Sequence, residues 1–270
     1  MLSGEPRGAA FETGPNDTIM AGQMRANQKL DLIEHLSSKE KKLFYASRLF
    51  QTIAPRYDFI TAFLSYGMDK RWKRRLVAMA SPTEGETALD IACGTGDITF
   101  SIASSLTGGL AAGLDLTQGM LDIAERKRRD AAAANVCFHR ADIMRMPFAD
   151  EVFDCVTGGY ALRNVPDIAG ALAEIKRVLR PGGRLFSLDF GHPGNRLCRA
   201  LYLRYLTIAG SAMGLALHGD ADTYRYIAET LKRYPGQRGV MVMMKAAGFV
   251  RTGIHEFGGG IMAINYGMKP

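Results

Sequence analysis

The chain has few cysteines, and none of them has the spacing of metal ligands or of a redox pair. No Cys-x-x-Cys pair occurs anywhere in the sequence, so the pattern excludes a zinc ribbon and a disulfide scaffold. We therefore expect buried thiols in a reducing compartment and no metal site. The cysteines are Cys93, Cys137, Cys155 and Cys198.

Long hydrophobic runs are also missing. The longest apolar stretch, Tyr205 to Leu217, has thirteen residues, whereas a helix that crosses a bilayer needs about 20. The first thirty residues lack an apolar core and carry Glu5, Glu12 and Asp17, which is unlike a secretory leader. These absences predict a cytoplasmic protein without a spanning helix.

Signatures of nucleic-acid binding are absent too, although the net charge is +7 and the isoelectric point about 9.3. The basic residues cluster at Lys70–Arg75 and Arg126–Arg129, both in predicted helices. Such clusters are either solvated helix faces or surfaces that attract an anionic partner such as a membrane. Without aromatic stacking patterns or zinc knuckles, no nucleic-acid partner is predicted.

The order of patterns along the chain predicts one α/β domain. Residues 1–28 are polar and without periodicity, so they are interpreted as a disordered or loosely ordered extension, followed by a single domain over 29–270. Helical spacing covers Asp31 to Leu36, Glu40 to Ile53 and Asp69 to Met79. From residue 85 onward, strand-like and helical segments alternate.

This alternation predicts a Rossmann-like, mostly parallel sheet with helices on both faces. A mainly helical segment at about 191–245 is too long for a simple connection, and we interpret it as an inserted cover over the site. Strands are predicted at Thr87–Ile91, Gly109–Asp115, Val136–Arg140, Cys155–Gly159, Arg184–Asp189, Phe249–Glu256 and Gly260–Tyr266, and helices at Asp97–Ser105, Gly119–Asp130 and Ile168–Leu179.

The most informative segment runs from Leu89 to Asp97, where an apolar strand ends in a turn with Gly94 and Gly96. Glycines let the backbone approach a ligand closely, and the following helix offers free N–H groups. Asp115 ends the next predicted strand, where a carboxylate can accept the two hydroxyls of a ribose. A dinucleotide fingerprint reads G-x-G-x-x-G/A, but Thr99 stands at its third glycine.

Asp97 in this turn is expected to repel a pyrophosphate, so a ribose-bearing ligand without phosphate fits better than NAD. S-adenosylmethionine (SAM) is the ligand predicted. Asp142 follows the third strand, where its carboxylate can accept the exocyclic amine of adenine while Ile143 packs on the ring. An exposed loop aspartate is the alternative for Asp142.

Two segments carry candidate residues for the chemistry. Gly158 to Val165 follows the fourth strand and contains Arg163, which either stabilises a phenolate on a substrate ring or makes a structural bond to a backbone carbonyl. His218 to Tyr226 concentrates tyrosines, a histidine and carboxylates, which is typical of substrate binding or proton transfer. Residues 192–217 form either a helix on the core or an apolar wall for a lipid tail.

From Phe50 to about Tyr266 these residues resemble the ubiquinone/menaquinone biosynthesis C-methyltransferases. The L-R-N-V block at Leu162–Val165 and the Y-R-Y block at Tyr224–Tyr226 are the specific part of the resemblance. The glycine turn and the P-G-G turn at 181–183 are generic to class I methyltransferases. The family implies transfer of a methyl group from SAM to a ring carbon of a demethylated quinol with a polyprenyl tail.

The resemblance also implies site residues. Arg163, Asn164, Tyr224 and Tyr226 are expected to face the quinol as catalytic residues. The residues expected to bind SAM are Tyr57, Asp90, Cys93, Gly94, Thr95, Gly96, Asp115, Leu116, Asp142, Ile143 and Tyr160. Because the acceptor is lipid-soluble, peripheral contact with the inner face of the cell membrane is expected, and a homodimer is a further expectation.

The sequence departs from the family pattern at several positions. Thr61 stands where the family often has Asn, Tyr160-Ala161 replaces the common Phe-Gly, and His218 lies outside the pattern. These departures leave two alternatives open. One is a methyltransferase of a soluble phenolic, steroid or polyketide-like substrate, and the other is a non-catalytic module that binds SAM or lipid.

Overall fold

A computed structural model describes residues 39–270, with side chains described from residue 41. The predicted disordered segment 1–28 and the predicted helix Asp31 to Leu36 lie outside these residues. The helices are α1 Lys39–Ile53, α2 Tyr57–Leu64, α3 Asp69–Ala80, α4 Asp97–Ala103, α5 Gln118–Asp130, α6 Ile168–Val178, α7 Arg196–His218, α8 Asp222–Arg233 and α9 Gly236–Ala246, with a 3-10 helix at Ala54–Arg56. The strands are β1 Thr87–Ile91, β2 Leu110–Asp115, β3 Val136–Arg140, β4 Phe153–Gly159, β5 Leu179–Phe190, β6 Val250–Phe257 and β7 Met262–Met268.

The strands form one seven-stranded sheet in the order β3-β2-β1-β4-β5-β7-β6. β1 pairs in parallel with both β2 and β4, and β7 is antiparallel to β5 and β6. This confirms the predicted Rossmann-like α/β class with a mostly parallel sheet. The strand order reverses beside β1, and ligands bind such sheets in the crevice outside the carboxyl ends of the strands.

Two apolar layers cover the sheet. Leu89, Val156 and Leu185 face the layer that contains α6 and α9, whereas Cys155 and Phe186 face α3 and α4. The alternation along β4 and β5 follows from the two-residue period of a strand. Because both faces are covered, the strands are apolar almost throughout, as parallel strands usually are.

Helices α1, α2, α7 and α8 lie beyond the strand ends and share a third apolar cluster, to which Ile53, Ile60, Met213 and Tyr224 contribute. Helices α7 to α9 fill the predicted insertion. Within the insertion α7 packs against α8 at Gly210, where a Cβ would lie 2.9 Å from the carbonyl oxygen of Tyr224. The close approach of the two helices therefore depends on the missing side chain.

Two local predictions were wrong. Helix α2 was not among the predicted helices, and Pro55 before it lies in the first turn of the 3-10 helix that leads into α2. Residues 180–183 were predicted as a turn, but β5 already begins at Leu179. The Gly182 φ of 77° and a register shift between Phe153 and Cys155 let the strand pass through this segment.

Helix α7 is long and apolar enough, by length and composition, to cross a membrane, and it alone passes that test among residues 39–270. The expected absence of such a segment was based on the uninterrupted run of 205–217. The helix extends that run in the N-terminal direction to Arg196. Only part of its surface is buried, because Leu206, Gly210, Met213 and Gly214 face the protein.

Candidate active site

The turn between β1 and α4 is fixed to the end of β2 by Asp115. One carboxylate oxygen of Asp115 accepts from the backbone N–H of Gly94 at 2.9 Å, and the other accepts from Thr117 at 2.8 Å. Gly94 and Gly96 both have positive φ, 55° and 87°, which glycine adopts without strain. Burial raises the pKa of Asp115, although the N–H groups of Thr117 and Gly94 lower it.

A cleft opens at this edge of the sheet, beside the β1 turn. Of the residues predicted to bind SAM, it is lined by Tyr57, Gly94, Asp115, Leu116, Asp142, Ile143 and Tyr160. Asp142 accepts from the backbone N–H of Met144 at 2.9 Å, which fixes the loop after β3. Ile143 beside it is largely buried. The cleft thus collects carboxylates from two strand ends and an apolar residue next to them.

Four residues predicted to bind SAM do not line this cleft: Asp90, Cys93, Thr95 and Gly96. The Asp90 carboxylate is sealed inside the sheet, where it accepts from the hydroxyls of Thr99 and Thr157, each at 2.9 Å. Burial raises the pKa of Asp90 to about 7, and the two hydroxyls oppose this shift. Through these two hydrogen bonds Asp90 connects β1 to α4 and β4.

The other three residues have structural partners as well. Cys93 is buried against the backbone of Gly113, where a Cβ would lie 2.9 Å from its sulfur. The Thr95 hydroxyl donates to Asp58 at 2.7 Å. A Cβ on Gly96 would lie 2.8 Å from the ring of Phe100. These three residues support the glycine turn on the side away from the cleft. The sequence alone does not show which residues of the turn line the cleft and which only support it.

A larger cavity of about 600 Å³ lies beneath α2, α7 and α8. Aromatic and aliphatic side chains dominate its wall, and Arg163 is its charged group. Of the predicted catalytic residues, the cavity is lined by Arg163, Tyr224 and Tyr226, whereas Asn164 lines the cleft. Phe50, Tyr57 and Tyr160 line both spaces, so the two meet at these aromatic rings.

Arg163 is 4% exposed and is held on several sides. Its Nε lies 3.4 Å from Asp189, its backbone N–H donates to the same carboxylate at 3.0 Å, and its Nη1 donates to Thr230 at 2.6 Å. The guanidinium also lies over the ring of Phe190, 5.1 Å from the centroid. Burial raises the pKa of Asp189 even though Arg163 opposes the shift.

Asn164 connects the two spaces. Its amide nitrogen donates to the Tyr160 carbonyl at 2.8 Å, and its amide oxygen accepts from the Tyr226 hydroxyl at 3.2 Å. The Tyr226 ring stacks on Tyr45 of α1, with centroids 5.5 Å apart. Burial raises the pKa of Tyr226 to about 12, so its hydroxyl remains a hydrogen-bond donor at neutral pH.

Tyr160 holds an unusual backbone conformation at the junction. Its φ is 60°, a region that a residue with a side chain rarely adopts. Its hydroxyl donates to Asp69 of α3 at 2.7 Å, and Asp69 pairs with Lys73 at 2.7 Å. This contact from α3 to the loop after β4 holds the ring at the junction.

Sequence analysis missed an ionic network that ties α2, α3 and α5 to the glycine turn. Lys73 lies 3.1 Å from Asp97, and Lys127 lies 3.1 Å from Asp97 and 2.9 Å from Asp58. Although burial opposes them, the two lysines hold the pKa of Asp97 below its usual value. Because Asp97 is paired with two lysines, its charge alone does not separate SAM from a dinucleotide.

Lys42 was missed as well. Its ammonium donates to the carbonyl oxygens of Arg163 and Val165 at 3.0 and 2.7 Å, so α1 is fastened to the loop that carries Arg163. Burial, with Arg163 next in effect, lowers the pKa of Lys42 to about 8. The sequence signal was only a lysine in a charged helix, and it became informative once the fold placed α1 beside this loop.

Residues 39–270 contain no group of three or more His, Cys, Asp or Glu side chains able to hold a metal ion.

Comparison with known proteins decides the family. The model of the ubiE/COQ5 methyltransferase family matches residues 36–269. The chain belongs to this family. It is 37% identical to a ubiquinone/menaquinone biosynthesis C-methyltransferase of Cellvibrio japonicus over 86% of this chain and 94% of that protein. It is 39% identical to the Saccharophagus degradans protein of the same name, over 82% and 90%.

Solved structures of SAM-dependent methyltransferases share the fold. A possible histamine N-methyltransferase from Thermotoga maritima aligns with a TM-score of 0.60 at 19% identity, covering 83% of this chain and 99% of that one. A SAM complex of phosphoethanolamine N-methyltransferase 2 from Haemonchus contortus aligns at 0.55 and 16%, covering 73% and 52%. The ubiE/COQ5 family member is thus a class I methyltransferase that uses SAM as methyl donor, as its sequence predicted.

Proposed function

We propose that this methyltransferase methylates a ring carbon of a demethylated polyprenyl quinol, of the demethylmenaquinol or methoxy-benzoquinol type. The observation that carries the proposal is the junction of two spaces: a cleft with carboxylates at the strand ends and a mainly apolar cavity meet at the same aromatic rings. The names of the relatives support a quinol acceptor.

The cleft fits the adenosine part of SAM. The carboxylate of Asp115 is fixed by two backbone N–H groups and retains lone pairs for ribose hydroxyls. Asp142 is positioned to accept from the adenine amine, and Ile143 packs beside it. Gly94 lines the cleft without a side chain, which leaves its backbone open to a close approach. When bound, SAM supplies an electrophilic methyl group.

The cavity fits the quinol. Ionisation of a ring hydroxyl makes the carbon ortho or para to it nucleophilic, and a fixed cation nearby stabilises the resulting phenolate. Arg163 is such a cation, since Asp189, Thr230 and Phe190 hold its side chain in place. The aromatic wall excludes water and orients the ring toward the cleft. We assign Arg163 to the phenolate and Tyr224, Tyr226 and Asn164 to the ring hydroxyls and their orientation.

Turnover with defined acceptors tests this function. Purified protein is incubated with labelled SAM and reduced demethylmenaquinone, a reduced demethylated benzoquinone, or soluble phenols, and the products are analysed by mass spectrometry. We expect a mass gain of one methylene on a quinol. Methylation of soluble phenols alone would support the alternative substrate class, and SAM binding without any turnover would support the non-catalytic module.

Variants of Arg163 test the assignment within the site. Arg163→Gln should lower kcat about 100-fold or more, which is typical for loss of a preorganised charge, and leave SAM affinity unchanged. Arg163→Gln leaves Asp189 without its cationic partner, and Arg163→Lys, which keeps a positive charge, controls for this. Arg126→Gln on the exposed side of α5 is the matched surface control. Normal kcat in Arg163→Gln would reject the phenolate role.

We further propose that the protein works at the inner face of the cell membrane. Large apolar side chains on α2, α7 and the loop after α2 are each at least 58% exposed: Phe59, Phe63, Tyr66, Leu197, Leu201, Ile208 and Leu215. This set is called the apolar face below. Tyr66 and Leu201 also line the cavity, so the cavity opens on the apolar face.

Exposed arginines accompany the apolar face. Arg196 and Arg204 lie on the exposed side of α7, where they can pair with anionic lipid headgroups while the apolar side chains enter the interface. Docked in this way, the cavity mouth meets the bilayer, and a prenyl tail need not cross water. Clusters of exposed apolar residues typically mark such interaction surfaces.

Vesicle sedimentation tests the docking. Phe59→Ser with Phe63→Ser should reduce binding to phosphatidylglycerol vesicles at least tenfold, since each buried aromatic ring contributes on the order of 1 kcal/mol or more. Val242→Ser removes an equally exposed side chain from α9 and should bind like wild type.

The expected homodimer remains a prediction. If light scattering finds a dimer that the Phe59 and Phe63 changes dissociate, the apolar face is a subunit interface instead.

A further inference from the structure

A histidine and a tyrosine connect the cavity with the protein surface. His218 is the last residue of α7, and Tyr224 lies in the first turn of α8. The His218 Nε2 lies 2.8 Å from the Tyr224 hydroxyl. Tyr224 is 2% exposed and lines the cavity, whereas His218 is partly exposed and does not line it. The pair thus spans the wall between the acceptor space and solvent.

Burial, more than the charged groups around the pair, lowers the pKa of the imidazole. Burial lowers the pKa of His218, Arg56 of the 3-10 helix lowers it further, and Asp220 of the following loop raises it, for a net lowering. Arg56 is fixed nearby, because its Nη1 donates to the carbonyl of Leu217 at 2.9 Å. Burial also raises the pKa of Tyr224 to about 12, with Arg56 opposing. At neutral pH a protonated tyrosine therefore meets an imidazole with a free lone pair.

We propose that His218, acting through the Tyr224 hydroxyl, receives the proton that the acceptor loses when its ring hydroxyl ionises. This role depends on the proposed quinol methylation. It requires the imidazole tautomer with its proton on Nδ1, so that Nε2 accepts from the Tyr224 hydroxyl. His218 is a positioning residue in this scheme, since of the pair only Tyr224 lines the cavity that holds the acceptor.

The proton movements balance. The acceptor O–H bond breaks as its proton passes to the Tyr224 oxygen, and the Tyr224 proton passes to Nε2, which leaves an imidazolium. The electron pair left on the acceptor oxygen moves into the ring, and the ring carbon forms the bond to the methyl group as the methyl–sulfur bond breaks and leaves its electron pair on sulfur. The ring proton at that carbon then passes through water to the ring oxygen, which restores the aromatic ring and its hydroxyl. The imidazolium releases its proton to solvent, so one proton is lost for each methyl transferred.

Three other titratable groups in the cavity wall, Arg163, Tyr160 and Tyr226, are less suited to this task. Arg163 stays protonated and accepts no proton. The Tyr160 hydroxyl donates to Asp69, but that carboxylate is paired with Lys73 at 2.7 Å, and protonation would break the pair. The Tyr226 hydroxyl donates to an amide oxygen of Asn164, which is not a base. Tyr224 differs because its partner is a neutral imidazole.

The pH dependence of kcat tests the relay. With a reduced quinol that wild type methylates, kcat should fall on the acid side as His218 becomes protonated, and the midpoint should lie below the usual histidine value. His218→Gln still bonds to the Tyr224 hydroxyl but does not titrate there. It should lower kcat at neutral pH about 100-fold, remove this acid limb and leave SAM affinity unchanged.

Two further variants make the result decisive. Tyr224→Phe should match His218→Gln, and the double variant should be no worse than either, because groups that act as a unit are not additive. His139→Gln on β3 is the matched control and should keep the acid limb. An unchanged acid limb in His218→Gln, with active wild type, would overturn the relay alone. An inactive wild type on every quinol would instead overturn the proposed function.

Discussion

Two buried aspartates on neighbouring strands have opposite surroundings. Both oxygens of Asp115 accept from backbone N–H groups at the strand end, and lone pairs remain toward the cleft. Both oxygens of Asp90 accept from threonine hydroxyls within the sheet. In the sequence, each is an aspartate near the glycine turn. Their different roles become clear only when it is known that Asp115 ends its strand, whereas Asp90 lies within one.

Asp115→Asn should weaken SAM binding about 10- to 100-fold, because hydrogen bonds to a charged group contribute roughly 1.5–3 kcal/mol. The amide also turns an N–H toward the backbone N–H of Gly94 or Thr117. Titration calorimetry measures the affinity, and Asp130→Asn at the exposed end of α5 is the control. Equal affinity in wild type and Asp115→Asn would remove Asp115 from the donor site.

Asp90→Asn tests the pH dependence of stability. A carboxyl whose pKa is raised to about 7 in the folded state binds more protons there than in the unfolded chain. Its contribution to the free energy of unfolding is present at low pH and is lost as pH rises from about 4 through about 7. Denaturant unfolding at several pH values should therefore show wild type losing on the order of 4 kcal/mol relative to Asp90→Asn between acid and alkaline conditions. Parallel pH curves would contradict this.

Among the elements, those with local signals were predictable. The bounds of β1 and β3 agree with the prediction because each is an apolar run that ends in turn or polar residues. Helix α2 was missed because a proline is either a break or a first-turn residue, and the flanking sequence does not decide which. The hydrogen-bond partners of Tyr160 and Arg163 could not be predicted either, since Asp69 and Thr230 lie on elements distant in sequence.

The α7–α8 contact depends on small residues. A Cβ on Gly214 would lie 2.3 Å from the carbonyl oxygen of Asp220, so Gly214→Val should displace the loop that leads from α7 into α8. We expect a loss of about 1–3 kcal/mol in the free energy of unfolding and a thermal midpoint lower by several degrees in calorimetry. Ala212→Val, on the exposed side of the same helix, adds the same branched side chain without that clash and should have less than half the effect.

For the whole molecule, the mostly parallel sheet with helices on both faces was the most transferable part of the prediction. The alternation of strands and helices led to a parallel sheet, and general rules for such sheets placed ligands at the strand ends. The acceptor cavity did not follow from these rules, because it is enclosed by α1, α2, α7 and α8 from distant parts of the chain. Its aromatic wall was visible in the sequence only as scattered tyrosines and phenylalanines.

Salt should separate the two contributions to membrane docking. Raising the ionic strength from about 0.1 M to about 1 M shortens the screening length from about 10 Å to about 3 Å. Vesicle affinity should fall several-fold as the arginines lose their attraction, and a residual affinity should remain from the apolar face. In Phe59→Ser/Phe63→Ser that residual part should vanish, as measured by sedimentation at both salt concentrations. Complete loss of wild-type binding at high salt would show an electrostatic contact only.

The three rings at the junction bear on product release. Phe50, Tyr57 and Tyr160 border the point where the cleft and the cavity meet, and aromatic faces attract cations. A sulfonium seated there is stabilised by the rings, whereas the thioether left after transfer carries no charge at sulfur and loses that attraction. Under the proposed function, the same aromatic residues therefore hold the spent donor less tightly than the sulfonium.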